Sequence, residues 1–138
     1  MKRLYISSLI LTVVAVVGYL LMRSGIAGGD FIFQFGVIAA SAFSLINAFW
    51  LISKKRLSSG ACMYGVLLHY LYLMFLALDY KGAMAMLWAG LGFDLLAAIA
   101  KYFEVKRDKI KGLEIQVFDT PICYAASMLV ASIIALFV

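Results

Sequence analysis

Asp94 and His69 are the residues of this sequence whose types and settings indicate chemistry most strongly. Asp94 lies midway along the apolar stretch WAGLGFDLLAAIAK, and His69 lies inside the apolar stretch YGVLLHYLYLMFLALDY. Ionisable side chains in apolar surroundings are costly, and they commonly mark proton or ion pathways. The pattern predicts an intramembrane proton or cation site, with Asp94 as its ionisable centre and His69 as a relay or gate.

A polar stripe on the preceding apolar stretch supplies candidate neighbours for this site. Ser41, Ser44 and Asn47 recur at helical spacing and therefore share one helix face. Counted from the basic end of each stretch, Asn47, His69 and Asp94 lie within about one helical turn of the same depth. We therefore expect the three apolar stretches to contribute to one polar network.

Two roles for this network stay open on sequence grounds. In the structural role, Asp94 links helices through a hydrogen bond to His69 or Asn47. The Asp94 carboxyl group is then neutral, because low dielectric disfavours a charged carboxylate. In the functional role, the charge of Asp94 changes during transport. Both roles predict that Asp94 points into a helix bundle.

Small residues around Asp94 support that orientation. Gly90, Ala97 and Ala98 fall on the same helix face as Asp94, and small residues let another helix approach closely. We expect these three residues to form a helix-packing surface. Gly90 and Gly92 do not indicate a phosphate loop, because no strand precedes them.

The composition defines the elements that must position these residues. The chain has 138 residues, of which 66% are hydrophobic and 14% are charged, whereas soluble domains are about half apolar and a quarter charged. A membrane-spanning helix needs about 20 apolar residues. Five stretches meet this requirement, and the connectors between them are short. The sequence predicts an all-α, polytopic membrane protein with a single transmembrane domain over residues 1–138, its spans lying at 4–22, 31–53, 59–78, 82–103 and 118–138.

Two of these spans have ends that need comment. The first begins with basic residues, as a signal peptide does, but its apolar core has about 19 residues. The apolar core of a signal peptide has roughly 7 to 15 residues. We expect it to be a retained helix. The fourth is expected to continue by a turn or two beyond residue 103, as far as Gly112, because glycine commonly ends a helix.

Basic residues predict the orientation of the chain. Short loops rich in Lys and Arg remain on the cytoplasmic side. In a five-span arrangement most of the basic residues fall on one side, which predicts a cytoplasmic N-terminus, an inner-membrane location and a parallel arrangement in any homo-oligomer. The same residues are expected to attract anionic membrane lipid and not nucleic acid, since no folded nucleic-acid-binding platform is present. The loop residues concerned are Lys54, Lys55, Arg56, Lys106, Arg107, Lys109 and Lys111.

Other kinds of chemistry are not indicated. The sequence shows no nucleophile–base pair, paired carboxylates, phosphate loop or haem-ligand pair, so we do not expect an enzyme or a cofactor. Cys62 and Cys123 are isolated, without metal-site or CxxC spacing. We expect both to be reduced, buried and free of metal.

The sequence favours a small transport or channel component for a cation or small solute. The competing hypothesis is a non-catalytic accessory, assembly or immunity-type subunit that binds a larger inner-membrane complex through its helix faces. So few helices enclose little space by themselves. We therefore expect a parallel homo-oligomer or other integral membrane subunits as partners.

Overall fold

The computed structural model describes residues 2–114 and 120–137, with side chains described from residue 6 onward. This part of the chain is all-helical, and its five helices are each long and apolar enough to cross a membrane. The predicted all-α class and the predicted number of apolar helices are confirmed for the described residues. The helices are α1 (Lys2–Arg23), α2 (Gly29–Ser53), α3 (Leu57–Ala77), α4 (Ala83–Lys111) and α5 (Thr120–Phe137).

The end of α4 agrees with the prediction made for Gly112. The helix continues past residue 103 for about two further turns, and Gly112 follows it in the left-handed conformation with φ 70°. The Gly112 N–H donates to the Lys109 carbonyl and the Leu113 N–H donates to the Asp108 carbonyl. This arrangement satisfies carbonyl groups that a helix end otherwise leaves unpaired. Residues 118, 119 and 138 of the predicted fifth span lie outside the described residues.

The central helix is α3, which packs against α2, α4 and α5. Its residue Met63 packs with Ala48 and Leu51 of α2, whereas Gly65 lies against Asp94 of α4. Residues two positions apart point about 200° apart on a helix. The helices α2 and α4 therefore occupy nearly opposite faces of α3.

The remaining contacts place α1 and α5 around this centre. The helix α1 packs mainly against α2, while α5 packs on α3 and touches α4 only slightly. A group of three hydroxyls joins α1, α3 and α5: the Thr12 Oγ1 lies 2.5 Å from the Tyr70 hydroxyl and 3.0 Å from the Tyr124 hydroxyl. The two tyrosine hydroxyls also contact each other. This group holds α5 against the bundle although α4 and α5 remain apart.

The outward surface of the bundle is apolar. Large hydrophobic side chains from every helix point away from the other helices, and several are more than half exposed. A surface of this size is unfavourable in water and favourable against hydrocarbon or another apolar surface. Examples are Leu9, Phe31, Phe49, Leu57, Trp88, Leu95 and Ile134.

Candidate functional site

The candidate site is a histidine–aspartate pair between α3 and α4. The Nε2 atom of His69 lies 2.7 Å from the Oδ2 atom of Asp94. The His69 side chain is completely buried, and the Asp94 side chain is 17% exposed. The structure therefore brings together the two ionisable residues that the sequence singled out, in surroundings that are otherwise largely apolar.

Two glycines make this close approach possible. Gly65 lies one turn before His69 on α3, and Gly90 lies one turn before Asp94 on α4. A Cβ atom on Gly65 would stand 2.6 Å from the Asp94 Oδ1 atom, and a Cβ atom on Gly90 would stand 3.0 Å from the His69 Cε1 atom. Each polar side chain therefore rests on the glycine of the opposite helix. Small residues at such positions allow polar side chains of neighbouring helices to meet.

The second ring nitrogen of His69 is also occupied. Its Nδ1 atom lies 3.2 Å from the Ser132 Oγ atom of α5, and the same hydroxyl donates to the Met128 carbonyl over 2.9 Å. The Ser132 side chain is completely buried. The imidazole is therefore held on both sides, by α4 through Asp94 and by α5 through Ser132.

The hydrogen bonds assign protons to this chain of groups. A serine hydroxyl carries one hydrogen, and Ser132 donates it to Met128. The Ser132 oxygen must then accept a hydrogen from Nδ1 of His69. In that arrangement the contact between Nε2 and the Asp94 Oδ2 needs a second proton, carried either by the ring or by the carboxyl group. The pair is then neutral overall.

A second proton arrangement fits the same heavy-atom positions. If the Ser132 hydroxyl turns from the Met128 carbonyl to His69, Nδ1 becomes the acceptor and Nε2–H donates to a charged Asp94 carboxylate. The pair then has one proton fewer and carries a negative charge. The two arrangements therefore differ in the direction of the Ser132 hydroxyl, which connects the site to α5.

Asp94 also lines a groove between α4 and α5. The groove has a volume of about 470 Å³, and Ala97 and Ala98 lie beside Asp94 in its wall. Gly90 and Ala97 are buried, whereas Ala98 is exposed. The helix-packing role of Ala98 stays a prediction, because α5 touches α4 only slightly.

The polar stripe of α2 lies apart from the pair. Ser41, Ser44 and Asn47 are buried, but they form no hydrogen bond with His69 or Asp94 in the described structure. The reason is geometric, since α2 and α4 pack on nearly opposite faces of α3. Together with Ser8 of α1, these residues have buried side-chain polar atoms that find no hydrogen-bond partner among the described residues. They form a second polar region, which we call the α2 stripe.

The basic residues gather at one end of the bundle. The Glu104 carboxylate of α4 accepts hydrogen bonds from the Ser58 N–H and hydroxyl at the start of α3, over 3.2 and 2.6 Å. This contact places the α2–α3 connector beside the last turns of α4. The connector residues Lys54, Lys55 and Arg56 and the α4 residues Lys106, Arg107, Lys109 and Lys111 are all exposed at this end.

The two cysteines differ in setting. Neither forms a disulfide; Cys62 is buried, whereas Cys123 is exposed. The expectation that both are buried is wrong for Cys123, which lies on the outward side of α5. Among the described residues, no group of three or more His, Cys, Asp or Glu side chains is arranged to hold a metal ion.

Two residues of the site were not predicted from the sequence. Ser132 lies in an apolar stretch with no spacing that connects it to His69. Gly65 could have been found, because both GxxxH at residues 65–69 and GxxxD at residues 90–94 place a glycine one turn before the polar residue. This repeated spacing is the signal of a reciprocal close contact.

Comparisons with protein-family models, with curated proteins and with solved structures find no match to this chain. Its function must therefore be inferred from the geometry of its own residues.

The glycine contacts predict that replacement of glycine by alanine has different effects on stability at two positions of α4. Gly90→Ala should lower the free energy of unfolding by about 1–3 kcal/mol, because the added methyl group meets a His69 ring fixed on both sides. Gly92→Ala should be neutral or stabilising by up to about 1 kcal/mol, since nothing lies within 4 Å of its Cβ position. Unfolding of the purified proteins in mixed detergent micelles measures both. Equal effects of the two substitutions would contradict the assigned contact.

The hydrogen bond to Ser132 generates a second prediction. Ser132→Ala should destabilise the protein by about 1–3 kcal/mol, because the buried Nδ1 loses its partner. Ser127→Ala is the matched control, since Ser127 also donates to the carbonyl four residues earlier, that of Cys123, but is exposed. The chain contains a single histidine, so ¹⁵N spectra of histidine-labelled protein report on His69 alone. The ring nitrogen signals should change in Ser132→Ala and stay unchanged in Ser127→Ala.

Proposed function

We propose that this chain is a multi-pass protein of the cytoplasmic membrane, with its N-terminus inside and its C-terminus outside. The support is the set of five apolar helices together with an outward apolar surface that suits hydrocarbon. The basic residues of the α2–α3 connector and of the last turns of α4 lie at one end of the bundle. That end corresponds to the cytoplasmic side under the positive-inside rule.

We further propose that the protein is a transport or channel component for a cation, and that Asp94 and His69 bind a proton during its cycle. The observation that carries this proposal is the buried 2.7 Å contact between His69 Nε2 and Asp94 Oδ2. Ionisable groups within a membrane are costly, and they mark proton and ion pathways in pumps and transporters.

Reversible protonation is supported by the hydrogen bonds around His69. Both ring nitrogens have partners, and the Ser132 hydroxyl can serve either proton arrangement. Protonation changes the pair from a single negative charge to neutrality, which alters its electrostatic energy in low dielectric. A change of this size can bias the positions of α4 and α5, which both contact the pair.

The α2 stripe gives separate support to a transport role. Ser8, Ser44 and Asn47 are completely buried, and their unpartnered polar atoms would each cost roughly 1–3 kcal/mol if nothing polar met them. A protein that only packs against lipid gains nothing from such groups. A protein that handles water, a cation or a small polar solute between α1, α2 and α3 gains binding energy from them.

Five helices form a small bundle, and we propose that the complete pathway includes a parallel homo-oligomer or another integral membrane subunit. The competing role is an accessory or immunity-type subunit that recognises its partner through helix faces. Its support is the large apolar outer surface. Chemical crosslinking in native membranes separates the two roles. A stoichiometric heterologous partner would favour the accessory role, whereas a homo-oligomer would favour transport.

The proton-binding role predicts the effect of Asp94→Asn. Protein reconstituted into vesicles should carry proton flux driven by a potassium diffusion potential, followed with an internal pH-sensitive dye. Asp94→Asn should reduce this flux to the level of protein-free vesicles, because an amide cannot release a proton. Asp79→Asn is the matched control, since Asp79 lies in an exposed turn with φ 56°, a conformation that asparagine tolerates.

Three results would count against the proton-binding role. Flux that survives in Asp94→Asn would exclude an ionisable function for this residue. Wild-type vesicles that carry no flux, although the protein is folded and correctly inserted, would exclude proton conduction by the chain alone. Loss of folded protein in Asp94→Asn, with His69→Gln behaving alike, would assign the pair a structural role.

The proposed orientation predicts the location of the C-terminus. Alkaline phosphatase is active only after export, so its fusion after residue 138 should be active. A fusion within the α2–α3 connector, between Lys54 and Lys55, should be inactive because that connector faces the cytoplasm. The reverse pattern would show that the basic end of the bundle lies outside.

A further inference from the structure

We propose that the protein binds one anionic phospholipid of the cytoplasmic leaflet, with its headgroup at the α2–α3 connector and an acyl chain in the groove between α4 and α5. The inference rests on the proposed membrane location and orientation, and it does not require proton exchange at Asp94. It follows from two cavities that meet at one residue. Lys101 lines both the apolar groove and a polar cavity at the basic end of the bundle.

The polar cavity is large enough for a phosphate group, and basic side chains slightly outnumber acidic ones in its lining. Its volume is about 150 Å³, and four basic and three acidic side chains line it. Glu104 accepts two hydrogen bonds from Ser58, Asp108 lies 3.6 Å from the Arg107 Nε atom, and the third acid, Glu114, is exposed. Lys55 and Arg56 form no ion pair among the described residues. They are the cations that we assign to the headgroup.

The apolar groove has the length of one leaflet. On α4 it runs from Asp94 to Val105, a distance of about 16 Å along the helix axis. Half of the hydrocarbon layer is about 15 Å thick. An acyl chain that begins beside the headgroup cavity would therefore end beside Asp94, near the middle of the membrane. The opposite wall is equally suited, since Ile122, Ala125, Ala126 and Leu129 of α5 line it at helical spacing.

The lining explains why a lipid fits better than a soluble ligand. Apart from Asp94 and Lys101, the groove presents mainly apolar side chains. A free phosphate would gain nothing from these contacts, whereas an acyl chain would cover them. The groove stays open because α5, whose Tyr124 hydroxyl contacts Thr12 and Tyr70, touches α4 only slightly.

The test is native mass spectrometry of the delipidated protein in detergent, titrated with dioleoyl phosphatidylglycerol, with dioleoyl phosphatidylcholine or with glycerol 1-phosphate. We expect the anionic lipid to bind at one site at least tenfold more tightly than the zwitterionic lipid. Basic residues near a membrane surface attract anionic lipid. The double variant Lys55→Gln/Arg56→Gln should therefore bind the anionic lipid about tenfold or more weakly. Lys109→Gln/Lys111→Gln, with the same loss of charge, should change binding by less than about twofold.

A second pair of variants tests the groove. Ala126→Phe places a ring in the groove from the α5 wall and should weaken binding by a similar factor. Val130→Phe is the control, because Val130 is exposed on α5 but does not line the groove. If Ala126→Phe does not fold, Ala98→Phe fills the groove from the α4 wall.

Several outcomes would overturn the proposal. Equal affinity for the zwitterionic lipid would remove the headgroup site. Equal losses of lipid affinity in Lys55→Gln/Arg56→Gln and in Lys109→Gln/Lys111→Gln would show diffuse attraction of lipid to the basic surface. Unchanged binding after the groove is filled, or full competition by glycerol 1-phosphate, would show a phosphate site without an acyl chain.

Discussion

Burial of an aspartate beside a histidine in an apolar bundle is the constraint on which this structure depends. Both groups lose hydration, and that loss is tolerable only if each finds a close partner. The partner must lie at hydrogen-bond distance, which forces α3 and α4 together. Gly65 and Gly90 are therefore as much a part of the site as the side chains that they accommodate.

The central position of α3 explains how a small bundle can hold polar groups of different kinds. One face of α3 meets Asp94, and the nearly opposite face meets α2. The Asp94–His69 pair and the α2 stripe are thus separated by a helix, so neither satisfies the other. Both His69 ring nitrogens and the Asp94 Oδ2 atom have partners, whereas the buried Asp94 Oδ1 atom and the polar atoms of the α2 stripe have none among the described residues.

The position of α5 connects the chemistry to the surface of the bundle. Ser132 on its inner side contacts His69, and the opening between α5 and α4 exposes part of Asp94 to the groove. A lipid chain in the proposed site would lie against α4 and α5, the helices that contact the pair, and would end beside Asp94. Under the two proposals, lipid binding and proton binding would both act on the separation of α4 from α5.

Much of this could be predicted from residue types and spacing. The five apolar helices follow from the length of the hydrophobic stretches, and the end of α4 at Gly112 follows from the ability of glycine to adopt positive φ. The sequence also identifies Asp94 and His69 as candidate site residues, because the free-energy cost of burying an ionisable group depends on the residues around it. These properties are local, and local sequence determines them.

The choice of neighbours was decided only by the tertiary structure. Depth along a helix can be counted from sequence, and that count placed Asn47, His69 and Asp94 at a similar level. The direction in which each helix faces cannot be counted in the same way, because it depends on how all five helices pack around α3. Because α2 and α4 pack on nearly opposite faces of α3, Asn47 lies apart from the His69–Asp94 pair. The packing of α5 against α3 brings Ser132 into contact with His69. This contact could not be predicted from sequence, because the two residues are 63 positions apart along the chain.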